Sequence, residues 1–321
     1  MPTTTSPIKT VGVIGTGVIG ASWIALFLSR GLFVIVSDPA PGAKARLDAF
    51  LQKHWSAVEA QGLAGSAAPS SYEFVDDVAD HLDKVDFVQE NGPENVAIKR
   101  AIFAKLDARA RADIVIASSS SGIPSSQFIT DCTHMPSRVL IGHPFNPPHL
   151  IPLVEVVPHA STSPAAVERA MDFYRSLGKR PIHVRAETPG FVANRLQVAV
   201  CSEAYSLVQR GVVSPADLDA AMTTGLGLRW ALTGPLMTNA LGGGGGMDGF
   251  RHLLEHIGPG MAAWEADMRE HQFGWSKEDL GAVSGEVGKW MEKLDADEVQ
   301  KERDEVLLAL LKLKKKAASL V

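Results

Sequence analysis

The sequence predicts an α/β protein in which a doubly wound parallel sheet is followed by an all-helical domain. Short apolar runs alternate with helical patterns up to about residue 188, and this alternation is typical of crossover units in a parallel sheet. Strand-like runs stop after Thr188-Pro189. A chain of 321 residues also exceeds one ordinary core. We therefore expect two domains, at 1–188 and 189–321.

The elements of the first domain follow from these runs in chain order. A buried strand is predicted in KTVGVIG, a helix ending at Gly31 in VIGASWIALFLSRG, and a second strand in LFVIVSD. An amphipathic helix is predicted from about Pro41 to Gly62. Further strands are predicted in VDFVQEN, ADIVIASSSS and RVLIGHPF, with helices between them. The helix SPAAVERAMDFYRSLG and the strand RPIHVR complete the domain.

The second domain is predicted to contain helices and their connections. A long helix in FVANRLQVAVCSEAYSLVQRG ends at Gly211, and the next helix has Ser214 as its cap and Pro215 in its first turn. The charged, amphipathic stretch EVQKERDEVLLALLKLKKKAA predicts a surface helix. The run Gly242–Gly246 lacks the preceding strand and the Lys-Ser/Thr of a phosphate loop, so we expect a flexible connection.

The composition argues against several classes of function. Hydrophobic residues make up 45% of the chain and charged residues 21%, as in ordinary globular proteins. A formal net charge of -5 implies no large basic patch, so we do not expect nucleic acid as a partner. Cys132 and Cys201 are far apart and form no CxxC motif, so we expect neither a disulfide framework nor a metal site. This cysteine usage fits a reducing, cytoplasmic location.

One uncharged stretch has the length of a membrane span. The twenty residues from Thr10 to Ser29 carry no charge, and the same length suits a signal-peptide core. Three glycines interrupt the stretch, and the chain turns at Arg30-Gly31 before the next apolar run. We therefore predict a buried strand, a turn and a helix here, and no contact with a membrane.

The turn between the first strand and the first helix carries a Gly-x-Gly-x-x-Gly pattern. Gly15 permits a tight turn, Gly17 allows a pyrophosphate to approach the backbone, and Gly20 lets helix and strand pack closely. The helix N-terminus then offers N–H groups and a positive dipole end to phosphates. The second strand ends at Asp38, where a carboxylate can bind both ribose hydroxyls and repel a 2′-phosphate. The sequence therefore predicts a Rossmann domain that binds NAD in preference to NADP.

A run of four serines, Ser118 to Ser121, ends the strand ADIVIA. The carboxyl ends of strands face the ligand crevice of an open α/β sheet. Hydroxyl groups at this place can contact nicotinamide or substrate, and we expect Ser119 to contact the cofactor. The alternative is a polar loop with helix-capping serines, and this is the role that we expect for Ser125 or Ser126.

A lone histidine and a lone glutamate lie on or beside neighbouring apolar runs in GHPFNPPHLIPLVEVV. His143 follows RVLIG, so it also lies at the carboxyl end of a strand, and Glu155 lies inside LVEVV, where an unpaired carboxylate is costly. A carboxylate bonded to one imidazole nitrogen leaves the other as a proton acceptor and stabilises the imidazolium. We therefore predict a catalytic pair, and an amide at Asn194 could reach the same cleft from the first helix of the second domain.

Together these motifs resemble those of the 3-hydroxyacyl-CoA dehydrogenase family. The resemblance covers nearly the whole chain and includes the glycine pattern, the serine run, GHPFNP…LVEVV and TPGFVANRL. It is closer to the branch of L-gulonate 3-dehydrogenase, or lambda-crystallin, through SSSS, NPP, IPLVEVVPH, NRLQ, SEAYSLV, GVVSPADLD and GLGLRWALTGPL. The family implies a Rossmann domain followed by a helical dimerisation domain, and therefore a homodimer.

The resemblance also implies roles for individual residues. His143 is similar to the catalytic base and Glu155 to its partner, while Ser121 and Asn194 are similar to the residues that orient the substrate oxygen. The positions similar to NAD contacts are Val18, Ile19, Asp38, Glu94 and Lys99. The run Gly242–Gly246 departs from the branch, which has bulkier polar residues there, and this leaves the substrate open.

The activity implied by the resemblance is NAD-dependent oxidation of the 3-hydroxyl of a small hydroxy acid, of the type L-gulonate to 3-dehydro-L-gulonate. One alternative is a dehydrogenase for another 3-hydroxy substrate, such as L-carnitine, 3-hydroxybutyrate or a 3-hydroxyacyl-CoA. Another is a non-catalytic, NAD-binding or structural protein, since the branch includes a lens crystallin. The presence of His143, Glu155, Ser121 and Asn194 argues against that last alternative.

Arg229 in GLGLRWALTGPL is a candidate for substrate recognition. We predict that it lies in a turn between helices and holds the substrate carboxylate, because a guanidinium binds a carboxylate through two parallel hydrogen bonds. The acyl-CoA enzymes of the family usually lack an arginine there. The alternative is a salt bridge at the surface or at a subunit interface. Trp230 beside it is expected in the core, or as an aromatic face for a trimethylammonium group.

Overall fold

The computed structural model describes residues 7–317, 319 and 320, and the chain divides into two compact units, 1–195 and 196–321. The first unit is α/β and, among the residues described, the second consists of helices and their connections. The first unit therefore extends beyond residue 188 and includes 189–195. The reason is that this segment hydrogen-bonds to the first unit through the N–H groups of Val192 and Ala193 and the side chain of Asn194.

The eight strands form one sheet in the order β3-β2-β1-β4-β5-β6-β7-β8. Their bounds are β1 Thr10–Ile14, β2 Phe33–Ser37, β3 Tyr72–Phe74, β4 Phe87–Glu90, β5 Val115–Ser118, β6 Val139–Pro144, β7 Leu153–Pro158 and β8 Arg180–His183. The order changes direction between β1 and β4, which makes the sheet doubly wound and places the ligand crevice at the carboxyl ends of those strands. The predicted fold class is confirmed. β3 was not predicted from the sequence, because its three residues are too few to show a period.

Helices connect the strands and then form the second unit. In chain order they are α1 Val18–Ser29, α2 Ala43–Glu59, α3 Val96–Arg109, α4 Pro164–Ser176, α5 Ala193–Gln209, α6 Pro215–Ala221, α7 Gly227–Gly242, α8 Gly246–Glu270, α9 Lys277–Met291 and α10 Ala296–Lys316. The predicted cap of α6 is confirmed, since the hydroxyl of Ser214 accepts the N–H of Asp217 and Pro215 is the first helical residue.

The last two strands differ from the parallel arrangement that the sequence predicts. β7 runs antiparallel to β6, and β8 runs parallel to β7. The chain returns from β6 to β7 through residues 145–152, and an antiparallel pair needs no crossover helix. In this register His143 on β6 lies directly opposite Glu155 on β7. The spacing of these two residues along the chain therefore reflects a direct return between neighbouring strands.

Apolar side chains cover both faces of the sheet. On one face, Trp23 and Phe27 of α1 pack with Phe173 and Tyr174 of α4, and on the other Phe103 of α3 contributes to a second cluster. The uncharged stretch Thr10–Ser29 supplies β1, the glycine turn and α1, which confirms the predicted strand, turn and helix. Within the ranges that the structure describes, every helix is too short or too polar to cross a membrane.

Arg229 does not lie in a turn, as the sequence analysis predicted, but on α7, where it is exposed. A π-helical turn, Met222–Leu226, leads into α7, and Gly227 has helical backbone angles, φ -62° and ψ -37°. Gly225 and Gly227 therefore continue the helix instead of ending it, whereas Gly234, with φ 67° and ψ 170°, kinks α7. The run Gly242–Gly246 connects α7 to α8, with positive φ at Gly244 and Gly245.

Candidate active site

The predicted pair His143 and Glu155 is formed in the interior of the first unit. Nδ1 of His143 lies 2.8 Å from Oε2 of Glu155, and both side chains are buried. Burial raises the pKa of Glu155, but hydrogen bonds from His143 and from the backbone N–H groups of Ala193 and Val192 outweigh it and hold the pKa below its ordinary value. An ionised carboxylate only accepts hydrogen bonds, so Nδ1 carries the proton and Nε2 keeps a lone pair for a substrate proton.

The second oxygen of Glu155 binds the start of α5. Oε1 accepts the N–H groups of Val192 and Ala193 at 2.9 and 3.0 Å. These groups lie at the N-terminus of a helix, where a negative charge is stabilised by the helix dipole and by N–H groups that have no partner within the helix. Glu155 is thus fully hydrogen-bonded at both oxygens, which explains how a carboxylate is tolerated in a buried strand.

The serine loop after β5 is held by Glu94. Oε1 of Glu94 accepts the hydroxyl of Ser120 at 2.7 Å and the N–H groups of Ser121 and Gly122 at 3.0 and 3.1 Å. The amide of Asn194 donates to the carbonyl of Ser121 at 2.5 Å. Ser121 is exposed, and the structure brings it together with Asn194 as the sequence analysis expected. Their contact with a substrate stays a prediction.

The glycine turn has the shape that a dinucleotide needs. Gly15 has φ +85°, and a Cβ on Gly20 would lie 2.0 Å from the carbonyl oxygen of Gly15. A Cβ on Gly17 would meet no atom within 4 Å, so the space beside this residue is open. α1 begins at Val18 with no side-chain cap, which leaves its N-terminus available to a phosphate. Val18 is exposed, whereas the side chain of Ile19 packs against the core, so a contact from Ile19 would come from its N–H group.

Asp38 lies at the end of β2 beside the glycine turn. Its Oδ2 accepts the N–H and the hydroxyl of Thr16, both at 2.7 Å, and its Oδ1 accepts the N–H of Ala40 at 2.9 Å. Burial raises the pKa of Asp38, but the hydrogen bonds from Ala40 and Thr16, together with the charge of Arg46, lower it below the ordinary value. The carboxylate is therefore ionised and fixed in orientation where the adenosine ribose is expected.

Replacing Asp38 is expected to change cofactor choice. Asp38→Ala should weaken NAD binding by about tenfold and reduce discrimination against NADP, because it removes a charge that repels the 2′-phosphate. Asp38→Asn keeps an oxygen for Thr16 and serves as the matched control. In this variant discrimination against NADP should decrease, while NAD affinity should fall less than in Asp38→Ala. Titration of both dinucleotides by fluorescence measures the two effects. Equal turnover with NAD and NADP in the unaltered protein would contradict the assignment.

Lys99, predicted to contact NAD, is buried in an ion pair. Its Nζ lies 2.9 and 3.0 Å from the two oxygens of Glu90, and the hydroxyl of Ser118 donates to the same carboxylate at 2.5 Å. Lys99 also lies 3.8 Å from Oε2 of Glu94. We missed Glu90 in the sequence, although an acid inside the apolar run VDFVQEN is the same signal that singled out Glu155. The network holds Glu94 and the serine loop at the carboxyl ends of β4 and β5.

The hydroxyl of Ser119, which the sequence analysis assigned to the cofactor, is hydrogen-bonded within the protein, and its contact with NAD stays a prediction. This hydroxyl donates to Oδ1 of Asn91 at 2.7 Å and accepts from the side chains of Gln89 and Trp23 at 2.8 and 3.1 Å. A hydroxyl has one proton and two lone pairs, so all three are used. Ser119 therefore supports the glycine turn through Asn91, whose carbonyl faces Gly15.

In the described part of the chain, no group of three or more His, Cys, Asp or Glu side chains could hold a metal ion. The polar groups at the carboxyl ends of the strands comprise a proton-accepting imidazole, a dinucleotide turn and a hydroxyl-bearing loop. This set of groups suits the removal of a proton and a hydride from an alcohol.

Comparison with known proteins agrees with this geometry. Residues 10–188 match the family model described as 3-hydroxyacyl-CoA dehydrogenase, NAD binding domain, and residues 190–273 match its C-terminal domain. A 3-hydroxyacyl-CoA dehydrogenase of Gibberella moniliformis is 54% identical over 98% of both chains. An L-carnitine dehydrogenase of Pseudomonas aeruginosa is 45% identical over 79% of this chain and 78% of its own.

A solved structure is similar over nearly the whole length. It is 5-formyl-3-hydroxy-2-methylpyridine 4-carboxylic acid 5-dehydrogenase, an NAD+-dependent dismutase, with 28% identity, a TM-score of 0.75 and coverage of 96% of this chain and 99% of the other. The named relatives support the family but not its L-gulonate 3-dehydrogenase branch, since they are carnitine and hydroxyacyl-CoA enzymes. The chain therefore belongs to the 3-hydroxyacyl-CoA dehydrogenase family and is an NAD-dependent dehydrogenase of a 3-hydroxy compound.

Proposed function

We propose that the protein oxidises the 3-hydroxyl of a small free hydroxy acid of the L-carnitine type, with His143 as the base. The observation that carries the proposal is the buried hydrogen bond of 2.8 Å between Nδ1 of His143 and Oε2 of Glu155. It leaves Nε2 as the proton acceptor of the site. The identity of 45% to an L-carnitine dehydrogenase supports this substrate class.

The side chains of the chain perform the proton transfer. Nε2 of His143 accepts the proton of the 3-hydroxyl, and Glu155 stabilises the imidazolium that forms. The bound NAD supplies the acceptor for the hydride that leaves carbon 3, so the products are a 3-oxo acid, NADH and one proton. Ser121 and Asn194 orient the hydroxyl oxygen, and Glu94 fixes the loop that carries Ser121. The buried Glu155 keeps its charge at neutral pH, because its pKa is lowered.

Two other substrates have specific support. The hydroxyacyl-CoA enzyme is more similar in sequence, at 54% identity, and L-gulonate remains a candidate through the sequence motifs of its branch. A screen for NADH production with L-carnitine, L-gulonate, 3-hydroxybutyrate and 3-hydroxybutyryl-CoA separates them. We expect kcat/KM to be at least about tenfold higher for L-carnitine than for the CoA thioester. A higher kcat/KM for the CoA thioester would contradict the proposed substrate class, but it would leave the proposed role of His143 as the base unchanged.

Arg229 is proposed to bind the substrate carboxylate, although it lies on α7 and not in a turn. Arg229→Met should raise KM for a hydroxy acid by about tenfold to a hundredfold. The reason is that the variant loses the hydrogen bonds between the guanidinium and the substrate carboxylate, and hydrogen bonds between charged groups are the strong ones. NAD affinity should not change. Arg210→Met, another exposed arginine of the helical unit, is the control. Steady-state kinetics with both variants measure the effect, and an unchanged KM would remove Arg229 from the site.

We further propose that the protein is a homodimer that forms through the helical unit. Large apolar side chains are exposed there, among them Leu228, Leu236, Leu241, Met247 and Trp264. Two-fold homodimers are the commonest oligomers, and a dimer formed through this unit would cover such side chains. Sedimentation at micromolar concentration should show a dimer, and Leu236→Glu should shift it to monomer. Leu63→Glu, at an exposed leucine of the first unit, should leave the dimer intact; a monomeric unaltered protein would contradict the proposal.

We expect the protein to act in the cytoplasm. Cys132 is buried and Cys201 half-buried, and both are free thiols. Burial raises the pKa of Cys132 to about 12, with a smaller contribution from the charge of Asp107, so this thiol is not reactive at neutral pH.

A further inference from the structure

Phe191 has a backbone conformation that is rare for its residue type. Its φ is +50°, in the left-handed region, where a side chain with a Cβ is unfavourable. Phe191 and Trp275 are the residues other than glycine with positive φ within the described ranges. Trp275 is 46% exposed, whereas Phe191 is fully buried. Strain of this kind persists only where surrounding contacts enforce it, and it is concentrated at functional sites.

The backbone of Phe191 directs the N–H groups of Val192 and Ala193 to the carboxylate of Glu155. Gly190 also has positive φ, at +75°, so two successive left-handed residues reverse the chain. The next two N–H groups, of Val192 and Ala193, then both point at Oε1 of Glu155. A relaxed, extended residue at 191 would turn these groups away and leave the buried carboxylate short of two donors.

The side chain of Phe191 packs directly on the catalytic imidazole. The centroids of the rings of Phe191 and His143 are 5.7 Å apart, with an angle of 56° between the rings. Phe145 contacts the imidazole too, at 5.3 Å. His143 is thus held by two aromatic rings and by Glu155, which limits rotation of the imidazole about its side-chain bonds.

The segment that contains Phe191 also contacts the serine loop. The N–H of Gly190 donates to the carbonyl of Gly122 at 3.3 Å, and the amide of Asn194 donates to the carbonyl of Ser121 at 2.5 Å. The junction segment, Gly190–Asn194, therefore touches both the catalytic pair and the loop proposed to orient the substrate. A displacement of this segment would alter both.

We propose that Phe191 is a positioning residue: its left-handed backbone directs the junction segment onto Glu155, and its ring fixes the imidazole of His143. This inference rests on the proposed role of His143 as the base. Small errors in placing a base are costly, because proton transfer requires a hydrogen-bond geometry that a mobile imidazole visits only part of the time.

Phe191→Leu tests the ring, because it keeps an apolar side chain but removes the aromatic contact. We expect kcat to fall by about tenfold or more while KM for NAD stays within about twofold. The control is Phe87→Leu, an equally buried phenylalanine at the start of β4 that packs on Phe173 and Tyr174. The kcat of Phe87→Leu should stay within about twofold of that of the unaltered protein. A loss of kcat caused by general destabilisation would instead appear in both variants.

A double-mutant cycle separates positioning from structure. If Phe191 acts through His143 and Glu155, Phe191→Leu should lower kcat by a clearly smaller factor in the Glu155→Gln variant than in the unaltered protein. Additive losses, or an unchanged kcat in Phe191→Leu, would overturn the inference. If Phe191→Leu does not fold, as judged by circular dichroism and NADH binding, Phe191→Met takes its place in the same cycle. His143→Ala tests the proposed base separately from the role of Phe191. If that variant stays active, the proposed base and this inference both fail.

Discussion

His143→Ala is expected to lower kcat by about 10²–10⁴-fold or more, while the protein still folds and binds NADH. The imidazole is the proton acceptor of the proposed reaction, whereas the glycine turn and Asp38 are the groups proposed to bind the dinucleotide. His134→Ala is a suitable control, because that imidazole is 61% exposed on the surface. Stopped-flow measurement of NADH formation with saturating substrate gives the chemical step. A kcat within tenfold of the unaltered enzyme would mean that the proton acceptor lies elsewhere.

Glu155→Gln should also lower kcat, for a reason that the geometry makes specific. The amide oxygen can replace one carboxylate oxygen, but the amide nitrogen cannot accept from Nδ1–H or from the N–H groups of Val192 and Ala193. Either the imidazole or the start of α5 therefore loses a partner. Loss of imidazolium stabilisation should reduce kcat by about 10²-fold. A change in the melting temperature without a change in kcat would assign Glu155 to structure alone.

The sequence was sufficient to predict that His143 and Glu155 form a pair, because of a simple energetic argument. A carboxylate inside LVEVV must have a partner, and His143 lies at the end of the preceding apolar run. The same argument applies to Glu90 and Lys99, which form another buried ion pair. The Rossmann domain was predictable for a similar reason, since the glycine pattern, the strand periods and Asp38 all indicate one local structure.

Features that depend on tertiary contacts were not predictable. Nothing local in LVEVV shows that β7 runs antiparallel to β6, yet this direction sets His143 opposite Glu155. The left-handed conformation of Phe191 opposes the preference of its residue type and is enforced by contacts distant in sequence. Arg229 was predicted in a turn between helices, but Gly227 beside it adopts helical angles and Arg229 lies on α7.

Gly17→Ala is expected to abolish most NAD binding without altering the fold. Gly17 has φ -59°, an ordinary value for any residue, and an added Cβ would meet no protein atom within 4 Å. The cost to stability at this N-cap position is therefore at most about 1 kcal/mol. The open space is where the pyrophosphate must approach the backbone, so the methyl group should raise the Kd for NAD about a hundredfold, or ~2.7 kcal/mol.

Two further variants separate this effect from simple loss of a glycine. Gly65→Ala also adds a methyl group in open space, in the loop between α2 and β3, and should change neither the melting temperature nor the Kd. Gly20→Ala should lower the melting temperature, because its Cβ would lie 2.0 Å from the carbonyl oxygen of Gly15. Calorimetry and NAD titration on the three variants distinguish the cases. If Gly17→Ala binds NAD as tightly as Gly65→Ala does, the dinucleotide does not approach the backbone at Gly17, and the turn must hold it by another route.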